Sequence, residues 1–248
     1  MSPPLPPSPW LVRRARPEAR ARLFCFPFAG GGAAAFRGWA DALPELEVVA
    51  VQAPGRESRL REAPFVRMAP LVEAAVEALE LHLDRPFAFF GHSLGGFVAF
   101  EVARALRRKG APLPCHLVVS ASPAPTTRPA RVPIHGFDDA RLLEEVKKYG
   151  GTPDEILASR ELMAVLLPII RADFAVYETY ETTREAPLPF PILALGGSED
   201  AKVPAASLTA WREQTEAPRE PRQLSGGHFF LQTARAELLS IVREALGL

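Results

Sequence analysis

Gly91-His92-Ser93-Leu94-Gly95 lies between a short apolar run, Pro86-Phe87-Ala88-Phe89-Phe90, and a helix-forming stretch over residues 96–106. The five residues fit G-x-S-x-G. In that arrangement a buried strand turns sharply into a helix and holds a serine out at the top of a sheet, on strained backbone. Glycines two before and two after the serine leave room for helix and strand to approach closely. The pattern alone also occurs in ordinary strand–helix loops. A strand before it and a helix after it make Ser93 a candidate nucleophile.

Apolar runs recur on both sides of this turn, at residues 23–28, 48–52, 86–90, 116–120 and 191–195. Near-continuous apolar runs separated by helical patterns predict a parallel sheet covered on both faces. Val72, Val76, Leu79 and Leu83 fall on one helical face, as do Leu238, Leu239, Val242 and Leu246. The alternation breaks between about 123 and 189. There the spacing predicts a helix capped by Asp138 or Asp139 and running to Lys148, before Gly150-Gly151. Thr152-Pro153-Asp154-Glu155 has the form of a capping box. A longer helix over residues 161–180 contains Pro168, a kinking residue. So long an insertion exceeds what a crossover needs, and residues 126–188 read as a helical lid.

A serine hydroxyl needs a base, and the base needs an orienting carboxylate. Behind a turn of this kind the chain order is Ser, then Asp or Glu, then His. The histidines after Ser93 are His116, which starts an apolar strand, His135, which lies within the insertion, and His228. His228 sits in Ser225-Gly226-Gly227-His228-Phe229-Phe230, a Gly-rich loop before the last helix, and is the candidate base. Gly196-Gly197-Ser198-Glu199-Asp200 follows the strand at 191–195. Asp200, where the chain turns away from the sheet, is preferred to Glu199 as the carboxylate. Asp173 in the long helix is a weaker alternative for the carboxylate and reads rather as a lid or structural contact. His92 is expected to point away from the serine and to support the turn.

A tetrahedral intermediate needs preorganised donors for its oxygen. The Leu94 amide follows the nucleophile. The loop Pro27-Phe28-Ala29-Gly30-Gly31-Gly32 supplies a second candidate, the Ala29 amide. This glycine run lacks the G-x-x-x-x-G-K-[ST] of a phosphate loop, and no dinucleotide fingerprint is present.

Lys+Arg and Asp+Glu both number 29, so the formal net charge is zero, and 48% of residues are hydrophobic. Charge balance points away from nucleic acid or an acidic membrane surface as partner. No apolar run reaches about 18 residues, the length that spans a bilayer. Residues 1–9 are Pro-rich, without the apolar core of a signal peptide, and are expected to be extended or flexible. Five arginines at 13, 14, 16, 20 and 22 read as a solvated lead-in to the first strand. Cys25 and Cys115 read as small core residues rather than a disulfide, consistent with a cytoplasmic protein.

Taken together, Phe26-Pro27-Phe28-Ala29-Gly30-Gly31, Ala50-Val51-Gln52-Ala53-Pro54-Gly55-Arg56, Gly91-His92-Ser93-Leu94-Gly95-Gly96 and Gly226-Gly227-His228-Phe229-Phe230 resemble the type II thioesterases of polyketide and nonribosomal peptide synthesis. The resemblance extends over residues 10–246. It implies one α/β-hydrolase domain over residues 1–248, with a mostly parallel central sheet flanked by helices and a helical lid insertion. It also implies a triad on Ser93, Asp200 and His228, with Ala29 and Leu94 amides as oxyanion donors. The implied task is hydrolysis of aberrant or stalled acyl groups from the phosphopantetheine arm of carrier proteins; no cofactor or metal is expected, and a monomer is the default. Phe28 stands where other members carry histidine or tyrosine, so the acyl preference stays open. Three rivals remain. One is a general carboxylesterase or lipase, and one a non-catalytic scaffold, which would typically lose a triad member. The third is a product-releasing thioesterase, less expected because Met1 stands shortly before the domain.

Overall fold

The computed structural model describes residues 8–127 and 132–248. The seven strands are β1 (Leu11–Arg13), β2 (Ala21–Phe26), β3 (Leu46–Val51), β4 (Phe87–His92), β5 (Leu117–Ser120), β6 (Ile192–Gly197) and β7 (Arg222–Leu224). They form one sheet in the order β1-β3-β2-β4-β5-β6-β7. Only β1 runs antiparallel to its neighbour. The helices are α1 (Trp39–Ala42), α2 (Met68–Glu80), α3 (Leu94–Lys109), α4 (Asp139–Lys147), α5 (Asp154–Ala158), α6 (Arg160–Glu178), α7 (Ala205–Thr209), α8 (Phe230–Thr233) and α9 (Arg235–Ala245). This is the α/β-hydrolase arrangement expected. All five predicted strands form, with ends shifted by at most two residues.

The strand residues alternate between two cores. Phe24, Phe26, Phe89, Val119 and Ala194 face the side covered by α2 and α3. Leu23, Cys25, Phe90, Val118 and Leu195 face the side covered by α1 and α9. Burial on both faces explains why these strands read as continuous apolar runs. A third, smaller cluster joins Leu142 and Val146 of α4 to Met163, Leu167, Ile170 and Phe174 of α6. The insertion therefore carries a core of its own.

Four readings are corrected. The arginine stretch is not uniformly solvated: Arg22 is buried, donating to Glu47 and to the His82 carbonyl and pairing with Asp84, while Arg13 pairs with Glu47. Glu47 on β3 lies opposite Arg22 on β2, so the charge has a partner inside. Cys115 is exposed, because it precedes β5 rather than entering it; Cys25 is buried, and neither forms a disulfide. The capping box at Thr152 does not form, since α5 starts after Pro153 without a side-chain cap. Asp138 does cap α4, accepting from the Arg141 amide at 2.8 Å, but α4 ends at Lys147. Ser159 caps α6, accepting from the Leu162 amide, and Pro168 lies in the interior of that helix. Residues 1–7 of the Pro-rich start and residues 128–131 of the insertion lie outside the described residues.

Candidate active site

Strand register brings the functional loops together. Phe26 at the end of β2 pairs with Gly91 of β4, so the Pro27–Gly32 loop leaves the sheet beside the β4–α3 turn. Gly197 of β6 pairs with Leu224 of β7, which sets the Asp200 loop beside the His228 loop. The contacts are close: a Cβ on Gly95 would lie 2.1 Å from the Phe26 carbonyl oxygen, and one on Gly197 would lie 2.4 Å from the Gly226 and Gly227 carbonyl oxygens.

Ser93 occupies φ 54°, ψ −117°, the strained conformation expected at the turn. Its amide donates to the Ser120 carbonyl at 2.7 Å, which ties the turn to β5. The Ser93 Oγ lies 2.9 Å from His228 Nε2, and His228 Nδ1 lies 2.7 Å from Asp200 Oδ2. The other carboxylate oxygen accepts from the Lys202 amide at 2.9 Å. Asp200 and His228 are both buried. Glu199 is exposed, so the preference for Asp200 agrees with the geometry.

The remaining histidines stand elsewhere. His135 bonds Glu178 within the insertion, at 2.5 Å, and half-buried His116 leads into β5. His92 is fully buried, and its Nδ1 lies 2.9 Å from Ser120 Oγ. Burial, and secondarily the neighbouring His228, hold its pKa well below the usual histidine value. A neutral His92, packed edge-on against Phe28 and 5.7 Å between ring centroids from His228, supports the turn as expected.

Phe28 and Gly31 close a turn, the Gly31 amide donating to the Phe28 carbonyl at 2.8 Å. Gly30, third in that turn, has φ +78°, as a type II turn requires. Ala29 and Leu94 both line the cavity that Ser93 opens into. Its walls are mostly apolar, with Phe97 below and Val146, Ile170 and Phe174 above. The insertion also reaches His228: the Tyr149 ring sits edge-on to it, and Lys202 Nζ lies 4.9 Å from the Tyr149 centroid. Among the described residues, no group of three or more His, Cys, Asp or Glu is placed to hold a metal ion. No helix among them is long and apolar enough to cross a membrane.

Two elements of the site were not assembled from the sequence. Tyr149 and Lys202 carried no motif. Asp173 and Arg56 were each noted, but their meeting was not. The Arg56 guanidinium holds Asp173 in a two-pronged pair at 2.8 and 2.9 Å, both side chains buried. An acid flanked by Ala172 and Phe174 on the inward face of a helix was the available signal.

The Thioesterase domain family matches residues 21–246. The chain belongs to the thioesterase family. This thioesterase is 39% identical over 241 residues to the gramicidin S biosynthesis protein GrsT of Aneurinibacillus migulanus, covering 96% of this chain and 94% of that one. Among solved structures it is similar to RedJ, the thioesterase of the prodiginine pathway in Streptomyces coelicolor. That match has 42% identity and a TM-score of 0.87, covering 92% of this chain and 91% of that chain. The type II thioesterase BorB of the borrelidin cluster matches with 36% identity and a TM-score of 0.88, over 96% and 97% of the two chains. The enzyme is a thioester hydrolase of the type II kind.

Proposed function

We propose that this thioesterase removes aberrant or stalled acyl groups from the phosphopantetheine arm of carrier proteins, acting as a cytoplasmic monomer, with Ser93 as nucleophile. The observation that carries the reading is the unbroken hydrogen-bonded chain Asp200–His228–Ser93 at the floor of an apolar cavity roofed by the insertion. His228 Nε2 takes the Ser93 proton as Oγ attacks the thioester carbonyl. Asp200 holds the imidazole in the required tautomer and stabilises the imidazolium. The negative oxygen of the tetrahedral intermediate is met by the Ala29 and Leu94 amides. Collapse expels the pantetheine thiol, which takes a proton from His228, and leaves acyl-Ser93. Water, deprotonated by His228, then releases the acid by the same steps. No cofactor or metal enters this scheme.

The apolar walls suit uncharged acyl chains, and the insertion over the cavity suits a lid that admits a carrier-borne arm. The test is hydrolysis of acetyl, propionyl, malonyl and aminoacyl groups from carrier protein, compared with the matching acyl-CoA thioesters and p-nitrophenyl esters. Release that depends on Ser93 and is faster from carrier protein than from CoA supports the reading. Fast ester cleavage with carrier thioesters untouched would reassign the protein to general esterases.

A further inference from the structure

Asp173 does more than pair with Arg56. Its Oδ2 also accepts the Gly30 amide at 2.7 Å. Arg56 in turn donates to the Gly31 carbonyl at 2.8 Å. One buried ion pair therefore grips both sides of the Phe28–Gly31 turn: an amide through the carboxylate and a carbonyl through the guanidinium. The two members come from different parts of the fold, Arg56 from the segment after β3 and Asp173 from α6 of the insertion. The peptide they hold is directly linked to Ala29. Gly30 N–H is turned to Asp173 and Gly31 N–H closes the turn, so the two amides after Ala29 are committed, while Ala29 itself borders the cavity.

We infer that Arg56 and Asp173 are positioning residues that fix the Ala29 amide at the oxyanion site, so that seating of α6 and alignment of the oxyanion donor are one event. The inference rests on the assignment of Ala29 as an oxyanion donor. A guanidinium fork matches a carboxylate in one plane and resists rotation of either partner. An oxyanion donor acts only if held where charge develops in the transition state, and small displacements there cost rate rather than substrate binding.

The experiment measures kcat and KM separately for Asp173→Asn, Arg56→Ala and Arg56→Lys. It adds the affinity of each variant for an alkylboronic acid, which forms a tetrahedral adduct on Ser93, and for a non-hydrolysable thioether analogue of the acyl substrate. Near-ultraviolet circular dichroism and melting identify the variants that keep the fold. In those, kcat is expected to fall on the order of 10- to 100-fold, less than the loss of a whole donor. KM and thioether affinity should stay within about twofold, and boronate affinity should fall in step with kcat. Arg56→Lys should recover part of the loss of Arg56→Ala. Folded variants with unchanged kcat, or with a defect in KM and thioether affinity alone, would overturn the inference.

Ala29→Pro separates this inference from the reading beneath it. Proline is compatible with the second position of a type II turn and removes only the N–H. A loss of about 10²- to 10³-fold in kcat is expected. Normal kcat in that variant brings down the oxyanion assignment and the inference together. A loss there, with folded Arg56 and Asp173 variants at full kcat, brings down the inference alone.

Discussion

The ring of Tyr149, just beyond α4, stands edge-on to His228 with centroids 5.3 Å apart, and it also packs against Phe174 at 5.8 Å. The insertion thus supplies part of the wall around the His228 imidazole. Tyr149→Ala would open space beside His228 while leaving Ser93, Asp200 and His228 themselves unchanged. The ratio of kcat/KM for octanoyl over propionyl thioesters is expected to rise on the order of 10-fold, within the range pocket contacts give. Steady-state kinetics on the two substrates measure it, and an unchanged ratio would detach this wall from chain-length selection.

Asp200→Asn keeps the shape of the side chain but favours the wrong imidazole tautomer. In serine protease triads the equivalent change costs about 10⁴ in kcat. A loss of at least 10³-fold is expected here, with KM little altered, in the same assay in which Ser93→Ala is expected to form no acyl-enzyme. Turnover near the wild-type rate would remove Asp200 from its proposed role.

Gly95→Ala tests the turn itself. The added methyl would meet the Phe26 and Pro27 carbonyl oxygens at 2.1 and 2.7 Å, and these are backbone atoms where β2 runs into the Pro27–Gly32 loop. Strand β2 cannot retreat without breaking its pairing with β4. A loss near 3 kcal/mol is expected, at the upper end of overpacking costs. Denaturant unfolding reads it directly, and a loss under 1 kcal/mol would mean that the strand–helix approach is softer than the structure indicates.

Acid should weaken the fold through His92. Its pKa in the folded protein is held well below the unfolded value of 6.5, chiefly by burial. The unfolded chain therefore binds this proton first. The stabilising contribution is complete above about pH 6.5 and is lost as pH falls below it, by about 1.4 kcal/mol per unit. Between pH 7.5 and 5.5 the wild type should lose more stability than His92→Asn in urea unfolding. Equal losses in the two proteins would show that His92 does take up a proton in the folded state.

What could be read in advance followed from how local each signal was. The β4–α3 turn is coded within five residues, and the positions of Asp200 and His228 follow from the order of strands along the chain. Central strands announced themselves because both faces are buried. Edge strands β1 and β7 have three residues each, too few for any periodicity to show. The Arg56–Asp173 pair spans 117 residues and joins a loop to an insertion, so no local pattern could mate them. Cys115 shows the reverse failure. Its place beside the strand expected over 116–120 suggested burial, but β5 begins at Leu117 and leaves the thiol outside.

The buried pair also constrains how such enzymes can be recombined. Exchanging the insertion for that of a relative is an obvious route to new acyl preferences, since most of the cavity roof travels with it. A donor segment lacking a carboxylate at the position of Asp173 would strand the Arg56 guanidinium inside the protein. Removing one member of a buried ion pair typically costs about 3–5 kcal/mol, a large share of a domain's total stability. Successful chimeras are therefore those that transplant α6 together with its acid, or that replace Arg56 at the same time.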